Sequence, residues 1–224
     1  MAASATERKT RYGTAQPNIV FILADDLGFA DVSCYGRRDF TTPNIDRLAT
    51  EGVRFTQAYA NSAVCTASRV PIITGRYQYR LSVGLEQPLS TRTPRKIGLP
   101  PDHPTLPSIL KKAGYCCALV GQWHLGTLPE YGPLQSGYDY FYGFRSGAVD
   151  YFTHKSGSAA TSAEDLWEGD VRIHRPGYLT CLETARSNSS KATPQAASLS
   201  SSVFTSMHRI GLGRRRATRR SRNV

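Results

Sequence analysis

A cysteine and an arginine lie four residues apart in the segment AVCTASRVPIITGRY, residues 63–77. The apolar residues in it predict a helix over 66–74, which Pro71 must either begin or kink. Cys65 would open this helix, where free N–H groups favour an anion. Arg69 would face the same side and could clamp an oxyanion. The alternatives are a small buried cysteine and an arginine in a surface salt bridge.

Two carboxylates end the apolar run PNIVFILADD, residues 17–26, which predicts a buried strand of a mostly parallel sheet. Asp25 and Asp26 carry the oxygen ligands that Ca²⁺ and Mg²⁺ prefer. The pair alone leaves two interpretations open, a divalent cation site and a solvated strand end or helix cap.

Three more segments complete the secondary-structure pattern. CCALVGQWHLG, residues 116–126, predicts a second buried strand that ends in polar residues. TPNIDRLATEG predicts a helix capped by Thr42, begun by Pro43 and ended by Gly52. TLPSILKKAGY, residues 105–115, predicts a short amphipathic helix. Strands alternating with helices indicate an α/β domain with a mostly parallel central sheet flanked by helices.

The ends of the predicted strands are the place to look for a site, because ligands of such sheets gather at the carboxyl ends of strands. Gln122 and His124 lie at one strand end and the aspartate pair at another. A lone histidine is usually structural, so the combination with Cys65 supports the prediction. Residues 127–180, rich in glycine and tyrosine, are predicted to form loops over this edge.

Charge divides the chain into two parts. Its 224 residues are enough for one domain with a substantial core, and no run approaches the roughly 20 apolar residues that span a bilayer. Residues 1–180 hold 19 Lys and Arg against 16 Asp and Glu, whereas residues 181–224 hold 9 against 1. Most of the net charge of +11 is therefore at the end, and a nucleic-acid partner is not expected for the domain.

Five cysteines, an odd number without the spacing of a disulfide framework, indicate reduced thiols. The first residues carry charge with no apolar stretch behind them, so no secretory signal is predicted. A cytoplasmic location is the resulting expectation, with no membrane association.

Four segments together resemble the successive blocks of the sulfatases, within the alkaline-phosphatase-like superfamily. In order, they are PNIVFILADDLGFADVSCYG, TPNIDRLATEGVRFTQAYAN, CTASRVPIITGRY and GYCCALVGQWHLG. The resemblance covers about residues 16–180, and it implies the truncated N-terminal part of such an α/β domain.

The family chemistry assigns a role to each polar group. A maturing enzyme oxidises the family's cysteine to formylglycine (3-oxoalanine), whose hydrate attacks the sulfur of a sulfate ester. The resemblance implies this change at Cys65, with Ca²⁺ (or Mg²⁺) bound by Asp25, Asp26 and the modified Cys65. Arg69 would stabilise the diol and the developing charge. His124 would contact the sulfate of a small sulfated ester or assist its leaving oxygen.

Three positions bear on how far the family chemistry carries over. Ala67 stands where the family most often has proline. Gln122 stands where it has lysine, so position 122 can donate hydrogen bonds to sulfate but brings no charge. Ser146, in FYGFRSG, is matched to a family site serine. Gln122 and Ser146 are thus the predicted substrate-binding residues.

The end of the chain departs from the family pattern and is rich in serine and arginine. One interpretation is a disordered basic tail. Another is a change of reading frame near Thr180–Cys181. Back-translated one nucleotide earlier, SMHRIGLG permits Asn-Ala-Pro-His-Trp-Pro-Trp, which a sulfatase would carry downstream. LETARSNSS and SLSSSVFTS permit a family-like helix and strand in the same frame.

We therefore predict a flexible N-terminus at 1–15, a partial sulfatase domain at 16–180 and a frameshifted, disordered basic tail at 181–224. The predicted function is sulfuric ester hydrolysis, in a chain unable to perform it alone. The alternatives are a phosphoester or phosphonate hydrolase of the same superfamily and a catalytically dead fragment.

Overall fold

The computed structural model describes residues 17–85, 89, 96–127, 129–156, 163–187 and 206–207. The chain divides into a larger unit, Met1–Leu23 with Phe55–Ser206, and a smaller one, Ala24–Arg54 with Met207–Val224. The predicted flexible segment 1–15 and most of the predicted tail, including the arginine-rich run 214–222, lie outside the described residues.

Helices and strands follow one another along the described chain without strict alternation. In order they are β1 (Leu23–Ala24), α1 (Pro43–Glu51), α2 (Cys65–Thr74), α3 (Leu106–Lys112), β2 (Ala118–Gln122), β3 (Tyr140–Phe144), β4 (Trp167–Glu168), β5 (Val171–Arg172), α4 (Leu179–Ser187) and β6 (Ser206–Met207). Single 3-10 turns lie at Phe29–Asp31, Ser33–Tyr35, Gln78–Arg80, Ser82–Gly84, Pro129–Tyr131 and Leu134–Ser136. No helix within these described ranges has the length and apolar character that crossing a bilayer requires.

The main sheet of the larger unit has the strand order β2-β3-β4-β5. Strands β2 and β3 are parallel, with Ala118 opposite Tyr140 and Gln122 opposite Phe144. The pairings β3–β4 and β4–β5 are antiparallel, and β1 pairs with β6 in a separate two-stranded sheet. The α/β class is confirmed, with a mixed rather than mostly parallel sheet among the described residues.

Two apolar clusters form the core of the larger unit. One contains Leu119 and Phe141 together with Val70 of α2. The other contains Val120 and Tyr142 together with Leu179 of α4. Because alternate residues of a strand point to opposite faces, both faces of the β2–β3 pair are buried, and α4 packs against both strands.

The predicted helices are confirmed, with small changes at their ends. Helix α1 begins at Pro43 after Thr42, whose side chain makes no capping hydrogen bond, and ends before Gly52. Helix α3 begins after Thr105, whose side chain accepts a hydrogen bond from the Ser108 N–H. Helix α2 begins at Cys65 itself and continues through Pro71 to Thr74.

The strand prediction for residues 17–26 is wrong in extent. Only Leu23 and Ala24 form a strand, while Val20 is 63% exposed and Ile22 is 55% exposed. Within the described residues, β6 is the one strand that pairs with it, and β6 is two residues long. A longer extended segment has no paired neighbour there to satisfy its backbone groups.

The prediction of loops over 127–180 is also wrong, because this region contains β3, β4, β5 and the start of α4. Its glycine content, typical of loops, has a packing reason in β3. A Cβ atom added to Gly143, which has φ of +151°, would lie 1.9 Å from the Gly121 carbonyl oxygen. Glycine at 143 therefore permits the close parallel approach of β2 and β3.

Helix α4 starts in the predicted domain and ends in the predicted tail, since it spans Leu179–Ser187. Glu183 on this helix is 2% exposed. Burial raises the pKa of the Glu183 carboxyl from 4.5 to about 8, because the charged form is poorly solvated there. Helical structure thus extends at least seven residues past position 180, while the proposed change of reading frame stays a prediction.

Phe141 provides a test of the core. Replacing this fully buried ring with alanine should lower the free energy of unfolding by about 3–5 kcal/mol, because the change leaves a cavity. The matched control is Phe152→Ala, at a ring that is 69% exposed, which should shift it by about 0.5 kcal/mol or less. Urea unfolding of the full chain measures both, and equal effects would contradict this core.

Glu183 makes the stability of the fold decrease as pH rises. Because its folded pKa lies above the ordinary value, its ionisation costs stability as pH rises from about 4.5 to about 8. Glu183→Gln should remove that loss and raise the free energy of unfolding at pH 8, on the order of 1–4 kcal/mol. The exposed Glu130→Gln is the control. If the free energies of unfolding of Glu183→Gln and of the unsubstituted chain change with pH in parallel, the prediction is wrong.

Candidate active site

The start of α2 meets the end of β2 at a cysteine–histidine contact. Cys65 is the first residue of α2, and its Sγ lies 3.1 Å from Nδ1 of His124, two residues beyond β2. The thiol is half-buried, whereas the histidine is 1% exposed. The two residues that the sequence placed at a helix start and a strand end are therefore in direct contact.

His124 is held by hydrogen bonds on both its ring and its backbone. Its Nε2 lies 3.0 Å from the Leu89 carbonyl oxygen, and the Thr66 hydroxyl donates to its backbone carbonyl at 3.2 Å. Because a carbonyl can only accept, Nε2 carries the proton in the neutral ring, and Nδ1 presents a lone pair to the Cys65 thiol. The backbone at His124 has φ of +52°.

Gly147 backs the histidine ring. A Cβ atom added at this position would lie 2.5 Å from Cε1 and 2.7 Å from Nε2 of His124. Any larger residue would displace the imidazole from its place beside Cys65, so position 147 requires glycine for the site rather than for a turn.

Arg69 lies one turn after Cys65 on α2 and contacts the last residue of β2. Its Nη1 donates to the Gln122 backbone carbonyl at 2.9 Å, and its Nη2 donates to the side-chain Oε1 of Gln122 at 2.6 Å. Arg69 is 7% exposed and Gln122 is 2% exposed. A buried guanidinium requires such acceptors, and Gln122 supplies two.

The amide nitrogen of Gln122 also binds within the protein. Nε2 donates to the Gly147 carbonyl oxygen at 2.7 Å and lies 3.4 Å from His124 Nδ1. Cys65, Arg69, Gln122 and His124 therefore form one connected group, which we call the Cys65 cluster.

Ser146 lies beside this group without bonding to it. Its hydroxyl donates to the Ala148 carbonyl at 3.0 Å, and its N–H donates to the Asp165 carboxylate at 2.8 Å. The preceding residue, Arg145, is 1% exposed, with its guanidinium 4.1 Å above the Trp167 ring. The end of β3 is thus fixed by buried polar contacts, and Ser146 stays a predicted substrate-binding residue.

Asp25 and Asp26 belong to the smaller unit. Asp25 is half-buried and Asp26 is exposed, with φ of +54° at Asp26. Across the described part of the chain, no group of three or more His, Cys, Asp or Glu side chains is arranged to hold a metal ion. The metal-binding role of the two aspartates and Cys65 stays a prediction.

Several contacts of the cluster have little or no signal in the sequence. Leu89 contributes a backbone carbonyl, which any residue type could supply, and the sequence marks Thr66 only as part of the predicted helix. Gly147 adjoins the predicted Ser146, but its packing against a ring 23 residues away in sequence is a tertiary feature. Asp165 had no pattern that marked it as a partner of Ser146.

The cluster combines the parts of a nucleophilic site. A half-exposed sulfur stands next to an acceptor nitrogen, and a fixed guanidinium lies one helical turn away. The start of a ten-residue helix adds N–H groups that favour an anion. Such an arrangement can activate a nucleophile and stabilise negative charge on a tetrahedral group.

The chain is similar in sequence to known proteins. The Sulfatase family model matches residues 17–198. The chain is 42% identical to mouse arylsulfatase J over 160 residues, 70% of this chain and 26% of that protein. It is 42% identical to human steryl-sulfatase over 140 residues, 59% of this chain and 24% of that protein.

Solved structures give the same result. The crystal structure of Ps i-CgsB matches with a TM-score of 0.73 and 30% identity, over 85% of this chain and 44% of that one. The structure of BT4656 in complex with its substrate D-glucosamine-2-N,6-O-disulfate matches with a TM-score of 0.63 and 28% identity, over 84% of this chain and 33% of that one. The chain spans about a quarter of the length of the curated relatives it matches.

The packing of Gly147 against His124 yields a direct test. Gly147→Ala should displace the imidazole and lower the free energy of unfolding by about 1–3 kcal/mol, because the added methyl overlaps the ring. NMR of the imidazole nitrogens should show an altered environment for His124. Gly114→Ala is the control for the His124 signal alone, since a Cβ at Gly114 meets no atom within 4 Å but its φ of +89° makes alanine costly there by itself. An unchanged His124 signal in Gly147→Ala would contradict the contact.

Proposed function

The chain belongs to the sulfatase family, and from that premise we propose that it provides the nucleophile-bearing part of a formylglycine-dependent sulfuric ester hydrolase. One observation carries the proposal. Cys65 opens α2 with its sulfur 3.1 Å from a histidine nitrogen, and Arg69 is fixed one turn further along the same helix. The proposed substrate class is a small sulfated ester.

The position of Cys65 suits formylglycine. The side chain is half-buried at the first position of a helix, so an oxygen-bearing group there would meet backbone N–H donors and the His124 ring. When formed, the hydrated aldehyde supplies one hydroxyl to attack sulfur and a second to expel sulfate. The proposed partner for maturation is a formylglycine-generating or other sulfatase-maturing enzyme, acting on the CTASR segment.

The roles of the neighbouring side chains follow from their contacts. His124 presents Nδ1 to the atom at position 65, because its Nε2 is bound to the Leu89 carbonyl. It can accept a proton from the nucleophile or return one to the leaving oxygen. Arg69 carries the fixed positive charge of the cluster and stabilises charge that develops on the sulfate oxygens. Ser146 is proposed to line the substrate side.

A divalent cation, Ca²⁺ or Mg²⁺, belongs to the proposal with Asp25, Asp26 and the modified Cys65 as its ligands. Two carboxylates fall short of the six to eight oxygens that Ca²⁺ takes, and the described residues gather no metal cluster. The residues in view do not complete the site, so no step of the chemistry is assigned to the ion here.

Another feature of the cluster favours a second candidate, a chain that is catalytically silent alone. The cluster pairs its arginine with an uncharged amide at position 122, and two carboxylates fall short of a complete Ca²⁺ site. We propose that this chain undergoes maturation at Cys65 but does not turn over substrate without further ligands for the ion.

Co-expression with a formylglycine-generating enzyme tests the proposal. Peptide mass spectrometry of the Cys65 peptide should show the mass loss of thiol-to-aldehyde conversion, and Cys65→Ala should show none. Cys34, Cys116, Cys117 and Cys181 serve as internal controls, and their masses should not change. A fully unconverted Cys65 would sink the proposal.

Turnover then separates the alternatives. If the converted chain hydrolyses an aryl sulfate, the silent-chain proposal is wrong. If it hydrolyses an aryl phosphate faster than the matching aryl sulfate, the sulfuric ester assignment is wrong and a phosphoester hydrolase replaces it. Conversion without turnover, together with no saturable Ca²⁺ binding in calorimetry, is the result expected of the silent chain.

A further inference from the structure

The glutamine at position 122 is the residue of the Cys65 cluster whose role the contacts define most fully. We propose that Gln122 is a positioning residue that fixes the Arg69 guanidinium, rather than a group that binds the substrate anion. The anion's identity as sulfate rests on the proposed function, whereas the contact between the two side chains does not.

Gln122 accepts two hydrogen bonds from the Arg69 guanidinium. Nη1 donates to the backbone oxygen of Gln122 and Nη2 to its side-chain oxygen. Two bonds to one residue fix the plane of the guanidinium as well as its position. Hydrogen bonds that involve a charged group are stronger than those between neutral groups.

Every polar atom of the Gln122 side chain is directed at protein atoms. Its oxygen accepts from Arg69, and its nitrogen donates to the Gly147 carbonyl and lies 3.4 Å from His124 Nδ1. A rotated amide would place its N–H groups against the Arg69 N–H groups and its oxygen against the Gly147 oxygen. Donor and acceptor chemistry therefore assigns the amide one orientation.

This arrangement explains an uncharged residue at a position where the resemblance predicts lysine. Lysine carries three donors and no acceptor, so it cannot accept the Arg69 Nη2 bond. It would also place a second cation next to a guanidinium that is 7% exposed. Position 122 and Arg69 are thus coupled in this chain, and Gln122→Lys should release Arg69 rather than improve the site.

The experiment is NMR of the full chain labelled on its arginines. The Arg69 signals are assigned by their loss in Arg69→Lys. In the unsubstituted chain the Nη signals of Arg69 should be separately resolved, because two bonds restrict rotation about Cζ–Nη. Gln122→Met keeps the length of the side chain but has no acceptor oxygen, and should speed that rotation roughly tenfold or more.

Rescue distinguishes positioning from packing. Gln122→Glu keeps an oxygen for Arg69 and should keep its Nη signals resolved, while Gln122→Lys should lose them. Gln78→Met is the matched control, since this glutamine is also 2% exposed but donates to the Asn61 carbonyl instead. Gln78→Met should leave the Nη signals of Arg69 resolved.

Three results would overturn the inference. The first is averaged Nη signals of Arg69 in the unsubstituted chain. This measurement does not depend on whether any variant folds. The second is retention of resolved signals in Gln122→Met, which would reduce Gln122 to packing. The third is their loss in Gln122→Glu. None of these depends on formylglycine or turnover, so failure of the proposed function would be recognised separately by an unconverted Cys65.

Discussion

The burial of the Arg69 guanidinium is the constraint on which the rest of the site depends. A cation that is 7% exposed must find hydrogen-bond acceptors at fixed positions, because water cannot solvate it. Two acceptors lie on Gln122, so α2 and the end of β2 are held in one register. That register brings Cys65, one turn earlier, against His124, two residues later. The contact between Cys65 and His124 therefore depends on a charged side chain one turn further along the helix.

The parallel β2–β3 pair extends this constraint to the other side of the cluster. The ladder runs from Ala118 opposite Tyr140 to Gln122 opposite Phe144, and the His124 N–H donates to the Arg145 carbonyl just beyond it. Gly147 then closes against the imidazole. Because β3 is fixed to β2 by backbone hydrogen bonds, the residues after β3 reach His124 at a defined place.

Helix α4 combines apolar packing with a buried carboxyl group. It covers one face of the sheet and contributes Leu179 to the core, yet it also buries Glu183, where desolvation raises the pKa of the carboxyl to about 8. Desolvation favours the protonated carboxyl at this position, and the change of reading frame near position 180 stays a prediction.

The sequence by itself determined the local features. The α2 start at Cys65, the start and end of α1 and the strand at 118–122 follow from nearby residue types, since prolines, glycines and apolar runs act over a few residues. The family motif is likewise contiguous, so the prediction of Cys65 as the nucleophile rests on adjacent residues. Only the tertiary structure decided which groups meet. The partner of Gln122, the Leu89 carbonyl on His124 and the glycine behind its ring depend on contacts across 23 to 53 residues of chain. The contact of a backbone carbonyl, or of a glycine that packs because it has no side chain, has no signature in residue type. The extents of β1 and β3 depended on which neighbouring strands were present to pair with them.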